Sequence, residues 1–393
     1  MIAALTRFCL GDGDPRSPDT RRRCGTIAGG VGVAVNALLC LGKMAGGLLT
    51  HSVAMVADGV NNLSDAATSV VTLVGFRLAG QEADADHPFG HGRIEYVTGL
   101  VVALAILLMG VEVGRSALEA LLEPTAVQAT PLSLAILIAA MAAKLWLFCF
   151  NRALGRAIGS QAMAATAADS LSDVASTGVV LLSALLGSRV SFPVDGLAGL
   201  VVAALILKTG WEAARDTLDP LLGRPMDPEL AADIDKLVLG HDKILGIHDL
   251  IYHDYGPGRA MMSLHAEVPA DGDLLEIHDI IDHIERELKT KHRIETVIHM
   301  DPVVCDERTA GLRTQVAELA RAVHPALSIH DFRVTAGPIH TNLLFDLVVP
   351  YNCAIKDDEV AEALTAAIKG LSDRYYPVIE VEHSFVEDCG EGR

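Results

Sequence analysis

The sequence predicts an α-helical membrane protein with six transmembrane helices, followed by a C-terminal cytoplasmic α+β domain that reads as duplicated. Three observations predict it. The 393-residue chain is 51% hydrophobic with a mean hydropathy of +0.36, too apolar for an ordinary soluble enzyme. Its apolar residues gather in charge-free runs over Thr26–Gly42, Val97–Val111, Pro131–Ala143, Val174–Ser188 and Gly196–Leu207. With their flanks these reach the roughly 20 residues a spanning helix needs. Beyond about residue 215 the pattern changes to short alternating strands and amphipathic helices.

In chain order, residues 1–25 form a cytoplasmic N-terminal segment. They do not form a signal peptide, because the first apolar stretch is very short and the polar run Gly11–Arg23 follows. The membrane part, 26–215, divides into spans at about 26–48, 52–79, 97–121, 130–151, 163–187 and 194–213. The second span is long enough although its first half carries Asp58, Asn61, Asn62 and Asp65. Lys and Arg near the membrane ends set the orientation. Arg16, Arg21, Arg22 and Arg23 precede the first span, Arg77 and Arg93 flank the second loop, Arg152 and Arg156 flank the fourth span, and Arg215 and Arg224 follow the sixth. The other side offers His51, Arg115 beside acidic residues, and Arg189. Both termini are therefore expected in the cytoplasm.

After a Pro- and Gly-containing linker at Asp219–Asp227, the spacing predicts a helix over Pro228–Leu239 and strands over Ile244–His253 and Arg259–Val268. A second helix over Leu274–Lys291 and a strand over Ile294–His299 complete an α+β domain, 216–305. A related domain is expected over 306–393. Gly246-Ile-His-Asp-Leu250 resembles Leu327-Ser-Ile-His-Asp-Phe332, and Leu264-His-Ala-Glu-Val-Pro269 resembles Phe345-Asp-Leu-Val-Val-Pro350. The strand ending at His299 is matched with one ending at His383, and intervals between landmarks agree within a few residues. The plainer alternative is two unrelated α+β stretches that share common pieces.

The formal net charge of −19 argues against nucleic acid as a partner. Seven scattered cysteines without a CxxC pair argue against a disulfide scaffold and a thiolate zinc site.

The chemistry lies in two i,i+4 pairs of oxygen side chains, Asn61/Asp65 and Asp169/Asp173. On a helix, i and i+4 share one face about one turn apart, so each pair aims at one spot. A carboxylate in hydrocarbon costs roughly 2.5–3.5 kcal/mol on insertion scales, and such residues face a bundle interior. Four oxygen ligands suit Mg, Mn and Ca, whereas zinc sites usually include His or Cys. Three ionised Asp around a divalent ion would leave a local charge of −1, which gives protons reason to compete when metal leaves. The blander reading is helix capping or interhelical hydrogen bonding, which one buried Asp would allow more comfortably than two pairs. Asp58 and Asn62 are open to either role. The loop after the second span carries Asp84, His87 and His91, with Pro88, Gly90 and Gly92 turning the backbone sharply. These three residues are candidates for a second site. Paired intramembrane Asp also marks aspartyl proteases, but their GxGD turn lies within a span. The only such string here, Gly11-Asp-Gly-Asp14, lies in the soluble N-terminus, so no enzyme is expected.

The segments Ser52–Asp65, His87-Pro-Phe-Gly-His-Gly-Arg-Ile-Glu95 and Ala168-Asp-Ser-Leu-Ser-Asp-Val174 resemble the cation diffusion facilitator family. The resemblance covers roughly residues 20–303. It implies divalent-metal/proton antiport out of the cytoplasm across a plasma or inner membrane, by a homodimer whose tail is ferredoxin-like. Position by position, Asn61, Asp65, Asp169 and Asp173 fall on the family's transport site, and Asp84, His87 and His91 on its loop site. His248, His265, His278, His299 and Asp301 fall on positions that bind metal in the tail. Zinc-transporting members typically carry His where this chain has Asp169, and many carry Asp where it has Asn61. The combination resembles the manganese-selective branch, so Mn(2+) is favoured as cargo, with Zn(2+) or Fe(2+) as alternatives. A metal sensor without transport is the rival from another class. The extra tail copy departs from the family's architecture. It keeps His330, Asp331, Asp346 and His383, with Glu359 and Phe385 matched to His278 and Asp301.

Overall fold

The computed structural model describes residues 2–11, 13–15, 17–50, 53–122, 130–186, 194–304, 306–337, 339–350, 353 and 355–383. Arg16, His51 and Arg189 of the charge count, and Cys305, Phe385 and Cys389, lie outside the described residues, and of Asp58 only the backbone is described. The chain divides into two units, Met1–Arg224 with Asp254–Gly258, and Pro225–His253 with Arg259–Arg393.

The first unit is helical. After the short α1 (Ile2–Leu10) come α2 (Pro18–Thr50), α3 (Val53–Ala79), α4 (Ile94–Leu122), α5 (Pro131–Ile158), α6 (Gln161–Leu186) and α7 (Val194–Leu222). Among the described residues, four of these, over Pro18–Gly46, Ile94–Leu122, Leu134–Ile158 and Gly196–Leu222, are long and apolar enough to cross a membrane. α3 and α6 are nearly as long but carry the polar residues of interest. Where the sequence predicted a linker from Asp219, α7 continues to Leu222. Pro220 sits in its last turn, so the i→i−4 hydrogen bond that its missing N–H forfeits lies at the helix end.

Large apolar side chains such as Leu38, Leu48, Leu108 and Leu122 are exposed on the outside of the bundle, as lipid-facing residues must be. Small residues let helices meet. A Cβ on Gly29 of α2 would stand 2.8 Å from the backbone of Leu73 in α3, and one on Gly75 would stand 2.0 Å from Oγ1 of Thr98 in α4. One end of the bundle is tied by a buried ion pair. Arg21 Nη2 of α2 lies 2.6 Å from Glu95 Oε1 of α4, Ser160 Oγ donates to the same oxygen at 2.5 Å, and Arg21 Nη1 donates to the Ile158 carbonyl of α5.

The second unit holds α8 (Pro228–Val238), β1 (Gly246–Asp254), β2 (Ala260–Pro269), α9 (Leu274–His292) and β3 (Ile294–Val303). The same helix–strand–strand–helix–strand order follows in α10 (Glu307–Val323), β4 (Ser328–Ala336), β5 (Thr341–Val348), α11 (Asp357–Leu371) and β6 (Tyr375–Glu382). Each set forms a three-stranded sheet with its second strand central, and each central strand pairs parallel to the last strand. Sequence explains the elements directly. Asp273 caps α9 by accepting from the N–H groups of Leu275 and Glu276, and Ile277, Ile281, Ile284 and Leu288 line its buried face. Asp306 caps α10 through the Thr309 N–H. In β5, Leu343, Phe345 and Leu347 point inward, leaving Asp346 on the opposite face. Separate apolar cores form under each sheet. Arg313 of α10 reaches Glu267 of β2 at 3.2 Å, a link between the two sets.

The register corrects one sequence comparison. His265 pairs with His299 and Glu267 with Asp301, while Asp346 pairs with Glu380 and Val348 with Glu382. The counterparts of His299 and Asp301 are therefore Glu380 and Glu382, not His383 and Phe385. The sequence match followed the shared histidine, whereas backbone pairing fixes which residue stands beside which. His383 lies past β6, with Nδ1 on the Val349 carbonyl and Nε2 on Asp357.

Candidate metal centres

In the membrane unit, α3 brings Asp65 and α6 brings Asp169 and Asp173 to one place. All three are buried, and one carboxylate oxygen of each lies within 4.8 Å of the others. The helical i,i+4 spacing aligns the two α6 carboxylates, and Thr72 and Thr166 join α3 to α6 at 3.2 Å. Asn61 is not brought into the group, for its side chain is exposed. The neighbouring Asn62 is buried and donates through Nδ2 to Asp65 Oδ2 at 3.2 Å. Both positions lie about one turn before Asp65, and the helix phase selects i−3 over i−4.

Lys144, in the middle of α5, completes this centre and was missed in the sequence. Its Nζ lies 2.7 Å from Asp65 Oδ2 and 2.5 Å from Asp173 Oδ2, with the side chain 5% exposed. A lone cation within an apolar run is a signal in itself, since it must find carboxylates or pay the cost of burial.

The loop between α3 and α4 brings Asp84, His87 and His91 together. Asp84 stands 3.5 Å from His87 Nδ1 and 3.5 Å from His91 Nε2, and the two rings lie 4.5 Å apart. The His87 N–H, at 2.7 Å, holds the Asp84 carboxyl below its ordinary pKa and orients it towards the rings.

In the tail, His248, His265 and Asp301 converge. Asp301 Oδ2 lies 2.9 Å from His265 Nδ1 and 3.4 Å from His248 Nε2. His299 stands beside them, exposed, 3.4 Å from Asp301 Oδ1. His278 does not join; it is exposed on α9 beside Asp282. Asp249, His330, Asp346 and Glu382 lie on the far side of His248, where sequence had placed no site. Burial, then the neighbouring His248, lowers the His330 pKa to about 4, which keeps the imidazole neutral with a lone pair to offer. Burial pushes Asp346 up to about 6 and, with help from Asp249, Glu382 up to about 7.

An apolar helical bundle with buried carboxylates, followed by an α+β tail rich in histidine–carboxylate clusters, defines a membrane protein that handles metal cations. Comparison with known proteins gives the particular family. Residues 31–222 match the cation efflux transmembrane domain and 226–303 the cytoplasmic domain of cation efflux proteins. The chain is 33% identical to the manganese efflux system protein MneS of Bacillus subtilis over 279 residues, 70% of this chain and 94% of the relative. It is 30% identical to an uncharacterized transporter of Methanocaldococcus jannaschii over 269 residues, 68% of this chain and 95% of the relative. Metal tolerance protein C1 of Arabidopsis thaliana is 25% identical over 372 residues, 84% of this chain and 78% of the relative. That last share exceeds what residues 1–303 could supply, so the likeness enters the second tail set. The chain belongs to the cation diffusion facilitator family of metal-cation efflux proteins.

Proposed function

We propose that the protein exports a divalent metal ion, Mn(2+) first among candidates, in exchange for protons across the plasma or inner membrane. One observation carries the reading: Asp65, Asp169 and Asp173 converge in an apolar bundle with the Lys144 ammonium seated against two of them. A place that already holds one positive group between carboxylates is built for cations. For metal to enter, Lys144 withdraws, and the carboxylates re-form around the ion. All six long helices, α2 to α7, span the membrane in this reading, with both termini in the cytoplasm. The repeated helix–strand–strand–helix–strand order supports an internal duplication of the tail, and the matched cytoplasmic domain supports a homodimer. An all-carboxylate triad favours Mn(2+) over Zn(2+), in agreement with a manganese efflux relative; Fe(2+) shares enough chemistry to compete. Asn62 takes the place expected of Asn61.

The test is flux in proteoliposomes under an imposed pH gradient, comparing Mn, Zn, Fe and Cd. Wild type is expected to move Mn fastest and only with the gradient, and Asp173→Ala to abolish flux of every metal. Unchanged flux in Asp173→Ala overturns the site, and flux indifferent to the gradient overturns the proton exchange.

A further inference from the structure

Next to the His248–His265–Asp301 cluster, the second tail set presents a further group of ligand atoms. His330 Nδ1 lies 3.6 Å from Asp346 Oδ2, and His330 Nε2 lies 3.6 Å from Asp249 Oδ1 and 3.8 Å from Glu382 Oε2. One ligand atom each from His330, Asp346 and Glu382 falls within 4.8 Å of the others. These separations exceed a good hydrogen bond, and ligand atoms about 2.1 Å from one ion stand roughly 3.0–3.5 Å apart. Three carboxylates and a ring are thus gathered, with Asp249 and Glu382 joined by a side-chain hydrogen bond and the ring held at wider spacing.

Two independent observations point the same way. The His248 side chain is 6% exposed, with Nδ1 3.2 Å from Asp249 and Nε2 3.4 Å from Asp301, while the buried His330 Nδ1 makes no hydrogen bond. Their rings stack at 4.4 Å, so these buried nitrogens sit at the junction of the two clusters. The backbone is also specialised at both places. Asp249 follows His248 with φ 49°, and Asp331 follows His330 with φ 48°, a left-handed conformation unusual outside glycine. Both strands make the same turn immediately after the histidine, which aims both rings between the sheets.

We propose that His330, Asp346 and Glu382, with Asp249 contributed by the first tail set, form an additional divalent-cation site adjoining the one at His248, His265 and Asp301. One imidazole nitrogen and three carboxylate oxygens suit a first-row ion such as Mn(2+), Fe(2+) or Zn(2+). The register explains why the site escapes a sequence match. Asp346 replaces His265 and Glu382 replaces Asp301, so the second set offers oxygen where the first offers nitrogen. Asp249 lies between the two positions and touches both His248 and His330, so ions at the two sites would share a ligand. One chain thereby holds both sites without a partner subunit.

The experiment uses full-length protein in detergent carrying Asp173→Ala, so that its outcome does not depend on transport. Mn and Zn bound per chain are measured by equilibrium dialysis and elemental analysis. The added pair Asp346→Asn and Glu382→Gln is expected to remove about one ion per chain, and His265→Ala a different one. Unchanged stoichiometry in the paired variant overturns the proposal. Because a variant could lose ions by misfolding, anomalous scattering from Mn-soaked crystals of the Asp173→Ala chain gives a second reading. A peak flanked by His330, Asp346 and Glu382 is expected; a peak at His265 and Asp301 with none there overturns the site.

Discussion

Asp65 and Asp173 share the Lys144 ammonium, and the energetics of that contact can be tested at one residue. Removing one partner from a buried ion pair leaves an uncompensated charge and costs roughly 3–5 kcal/mol. Lys144→Met is therefore expected to lower the melting temperature of the metal-free protein in detergent. Metal should then bind more tightly, because the resident competitor is gone, and Mn should raise the melting temperature of the variant more than that of wild type. A smaller Mn-induced shift in Lys144→Met would contradict this. The carboxylates were legible because an i,i+4 repeat of acids inside apolar helices has few innocent explanations. Lys144 was not, because the carboxylates it meets lie on α3 and α6, and a single charge inside an apolar run does not reveal which partners it finds. Asn61 and Asn62 differ by one helical step of about 100°, and only the rotation of α3 within the bundle decides which faces inward.

At the scale of elements, the contacts that position these residues are backbone approaches and caps. Gly29→Val would force a side chain into Leu73 and prise α2 from α3. Overpacking of this kind typically costs 1–3 kcal/mol, read as earlier unfolding in detergent. In the tail, Asp273→Ala removes the oxygen that caps α9 and should cost about 1 kcal/mol, read by thermal melting of the tail transition. Ile284→Ala, in the fully buried stripe of the same helix, should cost roughly 2–5 kcal/mol. Helices and strands of the first tail set were legible to within two residues, because Asp caps and strict apolar periods mark them, except that β3 runs to Val303, four residues past the expected His299. The comparison of His299 with His383 failed for a different reason. A strand's register is set by its neighbours, and nothing local in the Tyr375–Glu382 segment reveals which residue stands beside Asp346.

For the whole molecule, metal is expected to stabilise what it joins. An ion present at 100 times its Kd adds about 2.7 kcal/mol to the state that binds it. Chelation should therefore lower the tail's unfolding temperature, and Mn should restore it even in the Asp173→Ala chain; no shift on chelation would mean that the tail clusters hold no ion in solution. The pattern of sequence gave the order of membrane part and tail, since hydropathy and strand alternation are properties of single segments. It could not reveal that two tail sets meet around His248 and His330, because that meeting depends on residues more than eighty positions apart. The Arg21–Glu95 pair, with Ser160 and the Ile158 carbonyl, acts on the bundle as a clasp on one end of a sheaf of rods. Rods clasped at one end open more easily at the other, so a rearrangement of α2, α4 and α5 is expected to be smallest at this knot and largest at their far ends.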